Sequence, residues 1–364
     1  MEGITGYIYR NAVREFYGCG IDRYFSPFVT FHQKRVLNNH ECEDLRPDHN
    51  KGIELIPQIL TNNAAEFLSI SHYLKEEYGY GEVNLNLGCP SGTVASKGKG
   101  AGFLEHTPEL ERFLDEIFAH AETKISIKTR IGMNDNEVFP ELIRIYSHLP
   151  MAELIIHPRI RRQMYNGVPD VDSFISALGC GSYPICYNGD IYSVADYDTL
   201  VTKVREKIIP ENEGFQAVMC GRGMISHPYL LSELSAVRRN NKTDHDDHDA
   251  CSGNNKKIDH DVCSSNSKKI DNDVCSGNNS KSSSNGTVDD MHDIRRLRAF
   301  HDRIVSDYME CYNGDDGLVL RKMKEIWTYM IAEFPDSAKS FKELCKSHSM
   351  TQYNAAVTVI FGSR

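Results

Sequence analysis

Short apolar runs rich in β-branched and aromatic residues alternate with amphipathic stretches along the first two thirds of the chain. Two of these stretches, Pro108–His120 and Val194–Lys207, place apolar residues at helical spacing and are predicted to be helices. Seven apolar runs are predicted to be strands: Tyr24–Thr30, Leu55–Leu60, Glu82–Leu87, Lys124–Thr129, Leu154–Ile156, Ile185–Tyr187 and Ala217–Met219. Regular alternation of strands and helices predicts a parallel sheet covered by helices.

The last part of the chain shows only helical patterns. The predicted helices are Met291–Cys311, Leu318–Glu333, Ala338–His348 and Thr351–Ile360. This part is predicted to form a small all-α domain.

A segment of low complexity lies between these two parts. Residues 240–290 are mostly Ser, Asn, Asp and Lys, and a short unit repeats from Cys251, Cys263 and Cys275. Such a polar segment buries too little apolar surface to offset its ordering entropy, so we expect disorder. Metal binding by its Asp, His and Cys residues is the alternative. We therefore expect a barrel over residues 1–239, this insert over 240–290 and a helical domain over 291–364.

The net charge and the spacing of the cysteines limit which kinds of binding site and which cell compartment the sequence is compatible with. The 364 residues carry a formal net charge of −10, so any RNA site must be a local basic patch. The eleven cysteines include no C-x-x-C pair and no zinc-ligand spacing, which favours free thiols in the cytoplasm. No apolar run approaches the roughly 20 residues of a membrane span. The first residues lack a secretory signal pattern. We expect a cytoplasmic monomer with no bound metal.

The strongest chemical signal is a cysteine placed directly after a predicted strand, in the sequence Gly88-Cys89-Pro90. Gly88 allows the chain to turn without a Cβ atom, and Pro90 fixes the backbone after the thiol. Parallel barrels place their chemistry at this end of the strands. An isolated Gly-Cys-Pro would instead suggest a small buried cysteine beside a turn.

Polar residues end several other predicted strands. They are Gln58, Lys128, His157, Asn188 and Arg222. Singly, each is compatible with a cap, a solvated lysine or a core histidine. Together, at the same end of successive strands, they suit the edge of a flavin ring, and the glycine-rich turns after the last strands suit a phosphate.

These motifs resemble the tRNA-dihydrouridine synthases in order and spacing. The resemblance covers about Met1–Leu231 and, more weakly, the helical tail. Its motifs are Asn86-x-Gly88-Cys89-Pro90, Lys128-Thr129-Arg130-Ile131-Gly132, His157-Pro158-Arg159, Tyr165-Asn166-Gly167, Asn188-Gly189-Asp190 and Gly221-Arg222-Gly223. Their combination is specific, because generic flavin barrels lack the Gly-Cys-Pro loop.

The resemblance implies an enzyme that reduces uridine in tRNA to 5,6-dihydrouridine with bound FMN and NADPH as reductant. It implies that Cys89 is the general acid and that Asn86 positions the uracil. The residues implied to hold FMN are Gln58, Lys128, His157, Asn188, Gly189, Asp190, Gly221 and Arg222. The candidates for contacts to tRNA phosphates are Arg159, Arg161, Arg162, Arg295, Arg296 and Arg298.

The chain departs from the family pattern at its start. In the family a strand precedes the segment that matches Met1–Gly6. We count seven candidate strands where a closed barrel has eight, so we expect a TIM (β/α)8-type barrel that lacks its first strand, followed by the helical domain. Met1 is expected at the barrel mouth, and flavin binding and solubility are expected to be reduced.

Two other interpretations remain open. One is a small-molecule flavin oxidoreductase of the dihydroorotate dehydrogenase type, which leaves the helical tail unexplained. The other is an RNA-binding protein that has lost its flavin. Flavin absorbance on purification and activity on tRNA against free uracil or orotate separate the three.

Overall fold

The computed structural model describes residues 1–208, 214–237 and 292–363, and its centre is one parallel sheet of seven strands. The strands are β1 (Tyr24–Val29), β2 (Leu55–Ile59), β3 (Glu82–Leu87), β4 (Lys124–Arg130), β5 (Leu154–His157), β6 (Ile185–Tyr187) and β7 (Ala217–Val218). Each strand pairs with the next one along the chain. All seven predicted strands are confirmed, with ends that differ by at most one residue.

Helices connect the strands and cover the sheet. They are α1 (Tyr7–Tyr17), α2 (Asn39–Leu45), α3 (Ala64–Tyr78), α4 (Gly92–Ala95), α5 (Thr107–His120), α6 (Phe139–Ser147), α7 (Val171–Ser176), α8 (Val194–Lys207) and α9 (Arg222–Ser226). The two predicted helices, α5 and α8, are confirmed. Local side chains fix their limits: Ser193 caps α8 by accepting the backbone N–H of Asp196 at 3.2 Å.

The sheet is curled and open. Strand β1 lies at one end of the sheet order and β7 at the other, and no ladder joins them among the described residues. The fold is therefore an α/β half-barrel of the TIM type, as predicted, with seven strands. All side chains of β2 and β5 are buried, which is usual for parallel strands covered on both faces.

The tail is helical, as predicted, and packs against the barrel. Its helices are α10 (Ile294–Cys311), α11 (Asp316–Met330), α12 (Ala338–Lys346) and α13 (Met350–Gly362). The buried ring of Phe300 in α10 makes edge contacts with the rings of Tyr9, Phe16 and Tyr17 in α1, at centroid distances of 5.5–6.1 Å. One apolar core thus includes both parts.

Several expectations fall on residues outside the description. The insert over 240–290 and its alternative role in metal binding lie outside the described residues, as does Met291. The domain boundaries remain predictions. In the described ranges every cysteine is a free thiol, as expected. None of the helices there combines the length and apolarity needed to cross a bilayer.

Candidate active site

A cavity of about 810 Å³ opens at the carboxyl ends of the strands. It also extends along the open side of the sheet to Arg23 and Glu153, near the amino ends. Met1 lies in its wall, as expected. The cavity brings together every residue predicted for catalysis, FMN or the uracil: Gln58, Asn86, Cys89, Lys128, His157, Asn188, Gly189, Asp190, Gly221 and Arg222.

The turn that carries Cys89 is held from both sides. The side-chain oxygen of Asn86 accepts the backbone N–H groups of Gly88 and Cys89 at 2.9 and 3.0 Å. The Cys89 carbonyl accepts the N–H of Ala101 at 3.2 Å. Gly100 has a φ of +56°, and a Cβ atom there would lie 2.9 Å from the Cys89 Cβ. The thiol therefore has a fixed position at the end of β3.

The Cys89 thiol is half-buried, and its protonation follows from that position. Burial raises the pKa of Cys89, while the nearby charges of Lys128 and Arg130 act in the opposite direction. Because burial is the largest cause, the thiol keeps its proton at neutral pH. It can therefore donate a proton to a group in the cavity.

A row of amides links neighbouring strands, and two of its members, Gln58 and Asn86, line the cavity. The side-chain nitrogen of Asn86 donates to the Gln58 oxygen at 2.8 Å, and the Gln58 nitrogen donates to Asn84 at 2.9 Å. Asn84 in turn donates to the Ser126 hydroxyl at 3.0 Å. This row fixes both Gln58 and Asn86, and leaves each amide nitrogen one free hydrogen.

Two cations extend from the end of β4. Burial, followed by the charge of Arg130, lowers the pKa of Lys128 to about 8. In the described ranges neither Lys128 nor Arg130 forms a salt bridge with a carboxylate. Buried charges without partners are costly, and functional sites are where they persist.

Arg130 is a residue of the site that was not predicted from the sequence. Its guanidinium is buried and donates to the carbonyl oxygens of Gly88, Ile160 and Met164 at 3.0, 3.1 and 2.8 Å. It thus ties the cysteine turn to the loop after β5. The sequence indicated this role in one way, because Arg130 belongs to the same motif as Lys128.

His157 is kept neutral. Burial and the surrounding cations Lys128, Arg130, Arg159 and Arg222 hold the pKa of its imidazole far below the usual range. One ring nitrogen lies 3.3 Å from Arg159 Nη1, a donor that suits an unprotonated nitrogen. His157 is part of the cavity wall.

Asp190 bridges two arginines. Its carboxylate accepts from Arg159 Nη1 at 3.0 Å and from Arg222 Nη2 at 2.6 Å. The Arg222 guanidinium also lies 4.5 Å from the ring centre of Tyr165. The expectation that Arg159 contacts tRNA phosphate is wrong, because Arg159 is 0% exposed and its donors are used by Asp190 and by backbone carbonyls of the next loop.

The two glycines beside these residues differ in their surroundings. A Cβ atom at Gly189 would lie 2.1 Å from the hydroxyl of Tyr187, so no larger residue fits there. Asn188 donates its side-chain N–H to the Met219 carbonyl at 2.8 Å, which links the ends of β6 and β7. Gly221 precedes α9 and has open space in front of it, since a Cβ atom there would meet only the side chain of Met1 within 4 Å.

The remaining predicted arginines lie in two places. Arg161 and Arg162 are at the mouth, where Arg161 Nε donates to the Pro90 carbonyl at 3.0 Å and Arg162 is exposed. In α10, Arg295 pairs with Asp293 and Arg298 pairs with Asp302. All four keep some exposure.

Arg296, the third arginine of the basic cluster predicted on α10, packs against α1. Its guanidinium donates to the Phe16 carbonyl and lies 5.1 Å from the ring centre of Tyr17. It therefore attaches α10 to α1, although the residue stays only partly buried.

Comparison with known proteins agrees with this geometry. The chain is 24% identical over 238 residues to tRNA-dihydrouridine synthase B of Pasteurella multocida, covering 65% of this chain and 68% of that protein. It is 25% identical to the tRNA-dihydrouridine(16) synthase of Cupriavidus necator, over 67% and 74% of the two chains.

A third relative matches over a shorter part. The probable tRNA-dihydrouridine synthase 1 of Synechocystis sp. is 28% identical over 157 residues, which are 43% of this chain and 42% of that protein. The aligned part thus spans less than half of that relative. The profile of the dihydrouridine synthase (Dus) family matches residues 1–278, and three quarters of the sequence thereby carry the family pattern. With the half-barrel fold and the cysteine turn in place, this chain belongs to the dihydrouridine synthase family.

Proposed function

We propose that this chain reduces uridine in tRNA to 5,6-dihydrouridine, with FMN in the cavity, NADPH as reductant and Cys89 as general acid. The observation that carries the proposal is a protonated thiol on a fixed turn, in one cavity with Lys128 and Arg130, neither of which forms a salt bridge within the described residues. The names of the Pasteurella and Cupriavidus relatives support tRNA as the substrate.

The charge of the cavity fits an anionic cofactor. Four cations surround His157, and in the part of the chain that the structure describes two of them, Arg159 and Arg222, have a carboxylate partner, which is Asp190 for both. Buried charges require partners, so the site has positive charge left for a ligand. The cavity volume is within the roughly 300–1,000 Å³ of small-molecule sites. FMN, when bound, would supply the hydride that uridine reduction requires.

We assign the holding of FMN to residues at two ends of the cavity. Gln58, Lys128 and the neutral His157 offer donors and a positive charge to the flavin ring. Free backbone N–H groups and Arg222 offer donors to its phosphate. The phosphate-binding group comprises Asn188, Gly189, Asp190, Gly221 and Arg222, and Asp190 acts there by orienting the Arg222 guanidinium.

Cys89 and Asn86 would act on the uracil. The raised pKa of Cys89 keeps a proton on the sulfur, and we assign this proton to C5 of the base. Asn86 uses its oxygen on the cysteine turn and one amide hydrogen on Gln58, so one hydrogen remains for a carbonyl of the base. One side chain would thus align acid and substrate.

Contacts to the rest of the tRNA would come from two surfaces. We assign phosphate contacts at the mouth to Arg161 and Arg162, and further contacts to Arg295 and Arg298 in the helical domain over residues 291–364. We further propose that the protein acts as a monomer in the cytoplasm.

The test begins with purification and flavin analysis. A yellow protein that releases FMN, and that oxidises NADPH faster when unmodified tRNA is added, is the expected result. Free uracil and orotate should not accelerate NADPH oxidation, and dihydrouridine should appear in the tRNA. Turnover of orotate without turnover of tRNA would instead support a small-molecule oxidoreductase. Failure to retain any flavin, combined with RNA binding, would support a flavin-deficient RNA-binding protein.

A further inference from the structure

Exposed apolar side chains concentrate at the mouth of the cavity. Among the described residues, four large apolar side chains are exposed: Met164 (39%), Tyr165 (44%), Val168 (77%) and Val359 (59%). Three of these four lie within five consecutive residues, in a loop after β5 that we call the mouth loop (residues 160–168). Concentrated apolar exposure beside a cavity marks a binding surface.

Buried side chains hold the mouth loop in place. Its apolar residues are therefore exposed in the folded protein because the loop backbone is fixed. Arg130 donates to the carbonyl oxygens of Ile160 and Met164 at 3.1 and 2.8 Å. Arg159, which is fully buried, donates to the Asn166 carbonyl at 3.2 Å. Met164 has a φ of +53°, a conformation that non-glycine residues rarely adopt outside fixed sites.

Cations lie in the mouth loop and in the neighbouring loop that Arg161 contacts at the Pro90 carbonyl. Arg161, Arg162 and Lys97 lie in the mouth loop and in the loop that follows Cys89. In the described part of the chain none of these three has a carboxylate within 4 Å, whereas Arg295 and Arg298 in α10 are paired with acidic residues. The positive charge at the mouth is therefore available to a polyanion.

We propose that the mouth loop binds the nucleotides that flank the reduced uridine, with bases packed on Met164 and Val168 and phosphates near Arg162 and Lys97. Aromatic and apolar side chains interleaved with cations are the usual surface for unstacked RNA. A protein partner would favour carboxylates opposite these cations just as well, but it would block the cavity mouth. This inference rests on the proposed function, because the flanking nucleotides are defined by the uridine in the cavity.

The test places a photo-crosslinking amino acid at position 168 and, as a matched control, at position 359. Val359 is also exposed but lies on α13, which contributes no residue to the cavity wall, whereas the mouth loop contributes Met164 and Tyr165. On irradiation with unmodified tRNA, the protein labelled at 168 should crosslink within about two nucleotides of the uridine that becomes dihydrouridine, since the loop borders the cavity mouth. The protein labelled at 359 should not crosslink there. Crosslinks from 168 only to distant nucleotides would overturn the proposal.

Substitution gives a second, independent measurement. Val168→Asp should raise the tRNA Kd and the KM for tRNA roughly tenfold, with kcat little changed, because a carboxylate replaces apolar contact and repels phosphate. Val359→Asp, in the helical domain, should raise the tRNA Kd by much less than Val168→Asp. Arg162→Gln should lower the slope of log Kd against log salt by about one. Equal effects of Val168→Asp and Val359→Asp would contradict the proposal.

These outcomes are separable from failure of the proposed function. If the unchanged protein oxidises NADPH but never reduces tRNA, the proposed function fails before the mouth loop is tested. If it reduces tRNA and Val168→Asp binds tRNA normally, only the mouth-loop proposal fails. A change of sedimentation in Val168→Asp with normal tRNA affinity would identify the loop as a self-association surface and would also refute RNA binding there.

Discussion

The side-chain oxygen of Asn86 accepts the backbone N–H of Cys89 at 3.0 Å. The residue that we assign to the uracil therefore also holds the residue that we assign as the acid. Loss of the Asn86 side chain should therefore disturb both the binding of the uracil and the position of the acid. A residue that only supports the strand should disturb neither directly.

Asn86→Ala should lower kcat and also destabilise the fold. Two backbone N–H groups at Gly88 and Cys89 would lose their acceptor, at a cost of about 1–3 kcal/mol for each buried donor. The matched control is Asn84→Ala, assayed with saturating FMN, because Asn84 lies two residues earlier in β3 and bonds Gln58 and Ser126 but not the turn. We expect both variants to melt earlier, but only Asn86→Ala to lose kcat beyond the loss in folded protein.

Cys89→Ala should retain FMN and lose most tRNA reduction. General acid catalysis is typically worth about 10²–10⁴-fold, so kcat should fall by that factor. Single-turnover measurements with pre-reduced protein isolate this step from reduction by NADPH. Cys186→Ala is the control, because Cys186 is a second buried thiol in the cavity wall. Equal activity of the two variants would remove Cys89 from the mechanism.

FMN binding should weaken above pH 8. The pKa of Lys128 is about 8, so its charge is present at neutral pH and is lost as the pH rises through 8. The Kd for FMN should then rise, by at most about tenfold per pH unit. Arg130, with a pKa of about 10, keeps its charge in this window. Lys128→Met should bind FMN weakly at pH 7 and show no such rise, as measured by fluorescence titration.

The same shift affects stability in the opposite sense. Because the pKa of Lys128 is lower in the folded protein than its ordinary value of 10.5, the unfolded chain binds the extra proton between pH 8 and 10.5. The free energy of unfolding of the flavin-free protein should therefore rise across this window relative to Lys128→Met. Urea unfolding of both proteins at about pH 7, 8 and 9 measures this difference.

Asp190→Asn should destabilise the protein and loosen Arg222. Arg159 would remain fully buried without a charged partner, and breaking a buried pair typically costs about 3–5 kcal/mol. Because Asp190 is 30% exposed, we expect the lower end of this range. Asp172→Asn, which removes a surface partner of Lys207, should change the free energy of unfolding by less than about 1 kcal/mol.

Deleting residues 241–290 should leave activity near normal. The described residues on either side are already in contact: His292 Nε2 lies 3.5 Å from the Glu233 carboxylate, and its ring is 4.2 Å from that of Tyr229. A short Gly-Ser linker can therefore join the two parts, and loop-closure entropy changes slowly with length. A deletion variant that melts earlier or fails to reduce tRNA would show that the insert has a role.

The sequence predicts the strands and the polar residues at their ends because both follow local rules. Strands buried on two faces are continuous apolar runs, and residues at their carboxyl ends must meet at one edge. Lys128 and His157 can be placed in one site by this reasoning, although a whole helix separates them along the chain. Their assigned roles remain predictions.

The contacts of the arginines cannot be predicted from local sequence patterns. Sequence reasoning places Arg159 at the surface because arginine is seldom fully buried without a partner. Its partner Asp190 follows the next strand, so the pairing exists only once β5 and β6 are side by side. Arg130 and Arg296 likewise donate to backbone carbonyl oxygens of distant segments. Every residue has a backbone carbonyl, so the residue types in the sequence do not indicate which carbonyl accepts.

The packing of α10 on α1 has a consequence for synthesis in the cell. Helix α1 leaves the ribosome early, while Phe300, which covers Tyr9 and Tyr17, is made on the order of tens of seconds later. During this interval the apolar side of α1 has no native cover, and an exposed face of this kind attracts chaperones or other nascent chains. The yield of folded protein should therefore depend on translation speed and on chaperone supply, and slower growth at low temperature should change it.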